Sequence, residues 1–299
     1  MFYFRQQKKN QERLDMRSEA NCIPCVIRQA QRIVLFSKGK EEDFINVTKL
    51  VMDMVGNLSL EDPPSIFTSY VIREVYNYLK NPDPFLELKK EMNRIGKKRV
   101  NEVRLLLEKE KDKIYGAIKY AACGNIIDIG PQNNFDLEQH IKNLSFKRDD
   151  YKIFKEKLKG ANKILYVLDN AGEIYFDRLL LEQLSFLKLV IVVKKEPILN
   201  DATIKDAKEA ELDKLGEIID TGSGFLGVNF NEVSTEFLKN YQEADIVIAK
   251  GHANYESLVD KERDAFFILK AKCPVVAKSL GVEIGDSVFY YYPGKEEIV

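Results

Sequence analysis

Two carboxylates and one amide stand where apolar runs stop. In ILYVLDNAGEIYFDRLLLEQL, residues 164–184, a strand-like run ends at Asp169 and Asn170, and a helix-like pattern begins after Ala171 and Gly172. The next such run, LVIVVKKEPILNDATIKDAKEAEL, passes through Pro197 to Asn200 and Asp201 before another helical pattern. If the two strands are neighbours in a parallel sheet, Asp169, Asn170 and Asp201 form a hard oxygen donor set. Such a set suits magnesium or manganese better than zinc and leaves positions for water and substrate. The plain alternative is that Asp201 caps a helix and that Asp169 and Asn170 turn a corner, since both residue types are common caps. The small residues at 171 and 172 let a ligand approach the backbone. The N–H groups of the helix starting there favour an anion, and Glu173 lies in its first turn.

A third run, ADIVIAKGHANYESL, ends at Lys250 and Gly251 and brings an ammonium to the same edge. It serves there either as a point charge for a phosphate oxygen or as a solvated lysine. GSGF at 222–225, which carries Ser223, follows GEIID and is a small-residue loop able to cradle phosphate. In AACGNIIDIG, Asn125 and Asp128 follow Gly124, a pattern that a buried turn explains equally well.

These residues need a scaffold, and the sequence divides into two regimes. Over residues 20–120, CIPCVIRQAQRIVLF, FINVTKLVMDMV, PPSIFTSYVIREVYNYL, PFLELKKEMNRIGKKRVNEVRLLLEKE and KIYGAIKYAA carry apolar residues at helical spacing. Pro63-Pro64 and the Pro82 to Pro84 stretch break them apart. Over residues 121–299, β-rich runs (ILYVLD, LVIVVK, GEIID, ADIVIAKG, CPVVAKSLG) alternate with helical candidates at 172–187, 201–215, 231–242 and 256–271. The expected fold is an N-terminal helical domain beside a three-layer α/β domain with a mostly parallel sheet. Residues 1–19 read as a polar tail.

Composition removes several classes. Forty-six Lys and Arg against 47 Asp and Glu give a formal net charge of -1, so the basic footprint of a nucleic-acid binder is missing. No apolar run approaches the length of a membrane span, and the N-terminus has no signal-peptide core, so a cytoplasmic protein is expected. No GxxxxGK[ST] or GxGxxG string supports a nucleotide loop. Cys22 and Cys25 form a Cys-x-x-Cys, but neither histidine, His140 or His252, stands at finger spacing from Cys123 or Cys273. Two small thiols on the buried side of the first helix are the simpler reading.

Taken in order, CIPC, GNIIDIG, DNAGE, LND, GSGF and KGHANYESL resemble the damage-control phosphatase family, in the subfamily bearing the Cys-x-x-Cys, in which archaeal members are common. The resemblance runs from Cys22 to the end. It implies a helical domain beside a Rossmann-like domain and a divalent-metal-dependent phosphatase of sugar phosphates and related, including damaged, metabolites. The family's metal ligands fall on Asp169, Asn170 and Asp201, and its substrate-binding positions on Glu173 and Lys250. Asn125 and Ser223 are further substrate-binding candidates, and manganese, magnesium, cobalt and nickel are the candidate ions. Asp169 and Lys250 are the expected catalytic residues, with direct attack by water preferred to a phosphoenzyme on Asp169 and with His252 a possible proton donor to the leaving group. The competing readings are a nucleotide-binding transferase and a non-catalytic binder of a phosphometabolite or metal.

Overall fold

The computed structural model describes residues 16–57, 59–124 and 144–295. Asn125, Asp128, His140 and the first fifteen residues of the expected tail lie outside the described residues.

Helical periodicity in the first half becomes five helices: α1 (Cys22–Phe36), α2 (Glu41–Val55), α3 (Pro64–Leu79), α4 (Leu86–Leu107) and α5 (Lys113–Cys123). Proline opens α3 at its first position, where its missing N–H has no helical partner to lose. The apolar faces of α1, α2 and α3 meet in one core that includes Val26, Ile33, Val47, Val51, Phe67 and Val71. Two residues from the second half, Ile198 and Leu199, are buried in this same core. The helical layer therefore grips the loop that leads to Asp201.

Seven strands follow: β1 (Phe146–Asp149), β2 (Lys163–Val167), β3 (Lys188–Val193), β4 (Glu217–Asp220), β5 (Ile246–Lys250), β6 (Ala265–Lys270) and β7 (Ser287–Tyr292). They form one sheet in the order β1-β7-β6-β5-β2-β3-β4. From β4 across to β6 the pairs are parallel, and only β6 and β7 run antiparallel. Helices cover both faces, among them α7 (Ile174–Gln183) on one side and α9 (Thr235–Glu243), α10 (His252–Leu258) and α11 (Pro274–Leu280) on the other. In β2, Ile164 and Tyr166 enter one core while Leu165 and Val167 enter the other, as the two-residue period of a strand requires. Each such side chain stabilises the fold by roughly 1.5–3 kcal/mol, which lets the sheet tolerate costly polar groups at its edge. α6 (Tyr151–Leu158) and α8 (Ile204–Glu209) complete the helices named here.

Two assignments made from the sequence are corrected. CPVVAKSLG is not a strand but α11: its paired valines suggested β structure, yet Pro274 starts a helix and Gly281, at φ 65°, ends it. The helical candidate at 256–271 is in fact the end of α10 followed by β6, whose AFFILK run is too uniformly apolar for periodicity to separate strand from helix. Among the described residues no helix is long and apolar enough to cross a membrane.

The strand order reverses between β2 and β5. β2 leads to β3 and β4 on one side, while β5 leads to β6 on the other. Ligands of open α/β sheets bind outside the carboxyl ends of strands at such a switch point. The helical layer reaches this edge through Asn93 of α4, which is 1% exposed. Its Oδ1 accepts from the Gly172 amide at 2.8 Å and its Nδ2 donates to Asp206 Oδ1 at 2.9 Å.

Asn93→Ala leaves the buried Gly172 amide without its partner and takes one donor from the Asp206 carboxylate, whose other oxygen still accepts from Thr203. Chemical denaturation is expected to show a loss of about 1–3 kcal/mol. An unchanged midpoint would mean that α4 does not hold this loop.

Candidate active site

The chain after β2 and the chain after β3 are laced together. Ala171 N donates to Asn200 O at 2.9 Å and Ala202 N donates to Asp169 O at 2.8 Å, so Asn170 and Asp201 face each other as an isolated antiparallel bridge. Two strand-end loops thus bring Asp169, Asn170 and Asp201 to one place. Asp169, Glu173 and Asp201 are 8%, 3% and 4% exposed. Asn170 links them: its Nδ2 donates to Asp169 Oδ2 at 3.0 Å and to Glu173 Oε1 at 2.7 Å. With its N–H groups so engaged, its oxygen is the atom left for a ligand.

Burial raises the pKa of all three carboxyls. Glu173 is pushed up to about 8 by burial and by the charge of Asp169. Asp201 rises to about 7, with Lys194 opposing the shift. Asp169 rises too, against the pull of Lys272, Lys250 and Lys194. Glu173 Oε2 is buried with no hydrogen-bond partner among the described residues. Acidic oxygens crowded in this way, one of them orphaned, fit a hard divalent cation, which relieves repulsion that neighbouring lysines only partly offset.

Three lysines surround the carboxylates. The sequence reading placed Lys250 as an ammonium presented at the sheet edge, but the structure buries it to 1% exposure. Its Nζ donates to Asp177 Oδ1 at 2.7 Å and to Ala121 O at 2.9 Å, and lies 3.8 Å from Glu173 Oε2. Burial works against this ammonium, but Asp177 and Glu173 outweigh it and hold its pKa above the usual value. The second, Lys194, is also buried. Its Nζ lies 3.8 Å from Asp201 Oδ2 and donates to Gly227 O at 2.5 Å and to Asn254 Oδ1 at 3.4 Å. Asn254 in turn donates to Leu168 O and Lys250 O, tying β2 to β5. The third, Lys272, is exposed, and its charge acts on both Asp169 and Glu173.

Sequence reasoning missed Lys194, Lys272, Asp177 and the role of Asn254. Lys194 ends an apolar run just as Lys250 does, so the same signal would have found it. Lys272 follows the strand that was read as a helix. The amides at 171 and 172, expected to be open to an anion, are engaged by Asn200 and Asn93 because the bridge needs them. Ser223 is buried in the loop after β4, at the same edge, and its carbonyl accepts from Thr221. Among the described residues its hydroxyl has no hydrogen bond to the carboxylates.

Beside this centre, ligand atoms of His252, Glu256 and Cys273 lie within 4.8 Å of one another and could also hold a divalent metal. Burial and the Lys272 charge push His252 down to about 4, so at neutral pH it carries no imidazolium proton for a leaving group.

The chain is similar to known proteins along nearly its whole length. The damage-control phosphatase ARMT1-like domain matches residues 18–288. A damage-control phosphatase of Pyrococcus horikoshii is 35% identical over 288 residues, spanning 91% of this chain and 97% of its own length. One from Archaeoglobus fulgidus is 33% identical over 261 residues, 83% of this chain and 90% of its own. An uncharacterized protein of Methanocaldococcus jannaschii is 36% identical over 285 residues, 89% and 93% respectively. The crystal structure of a DUF89 family protein from Pyrococcus horikoshii superimposes with a TM-score of 0.84 at 36% identity, covering 94% of this chain and all of that one.

Gly251 makes the geometry possible. It sits at φ 82°, and a Cβ there would overlap the Asp169 carboxylate. Gly281, at φ 65°, has open space around it. Gly281→Ala should therefore cost only the left-handed backbone strain, about 1–2 kcal/mol, whereas Gly251→Ala should lower the thermal midpoint considerably further. Equal losses would show that Asp169 is not packed against Gly251.

Proposed function

Because the chain belongs to the damage-control phosphatase ARMT1-like family, we propose that it is a metal-dependent phosphoric-monoester hydrolase acting on small phosphorylated metabolites. Sugar phosphates and damaged phosphometabolites are the proposed substrate class. The observation that carries this reading is the bridge that sets Asp201 against Asn170, beside Asp169 and three lysines. In this reading Asp169, Asn170 and Asp201 hold the ion; their all-oxygen chemistry suits magnesium or manganese, with cobalt and nickel as further candidates. When bound, such an ion supplies Lewis-acid charge to a phosphoryl oxygen.

The chain's own residues supply position and charge. Lys194 balances Asp201, and Asn170 keeps Asp169 and Glu173 at a fixed separation. Lys272, exposed and acting by its charge on Asp169 and Glu173, is the ammonium proposed to meet an incoming phosphate. Lys250 holds Glu173 and Asp177 in register, which favours a positioning role over direct contact with the transferring group. Glu173, Asn125 and Ser223 are the proposed contacts for the rest of the substrate. Water attacks phosphorus, the bond from phosphorus to the metabolite oxygen breaks, and that oxygen leaves with a proton. Direct attack is favoured over a phosphorylated Asp169 because that carboxylate already accepts from Asn170 and packs against Gly251. A formal net charge of -1 and four free cysteines favour a small-molecule substrate and a reducing cytoplasmic setting.

The test is hydrolysis of p-nitrophenyl phosphate and a panel of sugar phosphates. Activity should fall to background after chelator treatment and dialysis, and return with manganese, magnesium, cobalt or nickel. Asp201→Asn should lower kcat by roughly 100-fold or more, the scale of losing one preorganised electrostatic element. Full turnover in excess chelator, or no turnover with any of these ions, would overturn the proposal.

A further inference from the structure

The Cys-x-x-Cys is not used by the phosphoryl-transfer chemistry, and the fold does not leave it isolated. Cys22 and Cys25 open α1, so their thiols project from the first turn of a helix. An ion pair of 3.6 Å between Glu19 and Lys278 sets this helix start beside α11, the helix that Cys273 precedes. Cys273 shares a space of 4.8 Å with His252 and Glu256. The electrostatic neighbours of the Cys22 thiol are Glu256, Cys273 and Cys25, and those of Cys273 are Glu256 and Cys25. Cys22 and Cys273 also pack in one apolar cluster, so three thiols and an imidazole, with the Glu256 carboxylate beside them, come from three parts of the chain to one neighbourhood.

Backbone N–H groups face two of the three sulfurs, working against the burial that raises both thiols. The Glu19 amide donates to Cys22 Sγ at 3.4 Å, and the Val276 and Val275 amides face the Cys273 sulfur. Such N–H donors stabilise a sulfur anion. The His252 ring nitrogens are weakly committed: Nε2 lies 3.5 Å from the Lys272 amide and Nδ1 3.6 Å from Glu256 Oε1. A lone pair is therefore available for a metal.

We propose that Cys22, Cys25, Cys273 and His252 bind a second, thiophilic divalent ion, zinc by its chemistry, with His252 Nε2 as ligand and Glu256 accepting from His252 Nδ1. Three thiolates and one imidazole complete a tetrahedral set, and a carboxylate behind a ligating histidine is a recurring orienting partner. The ion would fasten the first helix to the loops that follow β5 and β6. Those loops carry Gly251, which packs against Asp169, and Lys272, so the soft site would brace the hard one without joining its chemistry.

Cobalt(II) is the probe, because a tetrahedral cobalt thiolate site absorbs in the visible and gives a near-ultraviolet sulfur-to-metal band. The reduced, metal-free full-length chain should take up about one equivalent of cobalt with these bands, and zinc should displace it. Asp201→Asn should retain the bands, which separates this site from the phosphatase centre. Cys22→Ser with Cys25→Ser, and independently Cys273→Ser, should lose them while circular dichroism reports an intact fold. The reduced parent protein failing to develop thiolate bands would overturn the proposal. So would Cys22, Cys25 and Cys273 titrating freely in the zinc-treated native protein, or the bands surviving in the folded Cys22→Ser, Cys25→Ser variant.

Discussion

Asp169, Glu173 and Asp201 share a space nearly closed to water, and their mutual repulsion is the constraint around which this sheet edge is built. Two like charges about 4 Å apart repel by about 4 kcal/mol at an effective dielectric constant near 20, several times the net worth of a hydrogen bond. Left alone, such a group would splay apart or protonate. The chain prevents splaying through the 169–171 and 200–202 bridge, through the shared Asn170 amide, and through Asn93 reaching in from the helical layer. It balances the charge with Lys194 and Lys250, both almost fully buried. Burial first, and the charge of Asp169 after it, raises Glu173 and Asp201, a penalty that a bound cation would relieve.

The rest of the architecture follows from holding that arrangement still. Parallel strands end together, so loops after β2, β3 and β5 meet at one edge, and strands buried on both faces supply the hydrophobic energy that the polar edge lacks. The helical layer covers the same edge: Ile198 and Leu199 sit in its core, and the Tyr76 hydroxyl accepts from the Leu199 amide at 2.9 Å. One loop is therefore shared between the sheet and the helices, and it carries Asp201 to the place where the two meet.

Much of this was legible in the sequence for a specific reason. Asp169, Asn170 and Asp201 stand out because an apolar run ends abruptly in oxygen-bearing side chains, and in a parallel sheet such ends converge. The five N-terminal helices were legible because their periodicity is strong and proline punctuates it. Less legible was what depends on packing across the chain. Asp177 looks like any polar residue of an amphipathic helix, yet it is the carboxylate that holds Lys250. β6 carries no period to distinguish it from a helix, and misreading it hid Lys272. Cys273 and His252 are remote from Cys22 and Cys25 in sequence, so no spacing rule could join them; the pairing of β5 with β6 brings Cys273 to His252, and the Glu19–Lys278 ion pair brings the start of α1 to them.

The most direct test is anomalous diffraction from crystals of the chain soaked in manganese, with data collected at the manganese edge. The account predicts a peak in coordination contact with Asp169, Asn170 and Asp201 that is absent from crystals of Asp201→Asn. A manganese peak found only beside His252, Glu256 and Cys273, with none between Asp169 and Asp201, would contradict it.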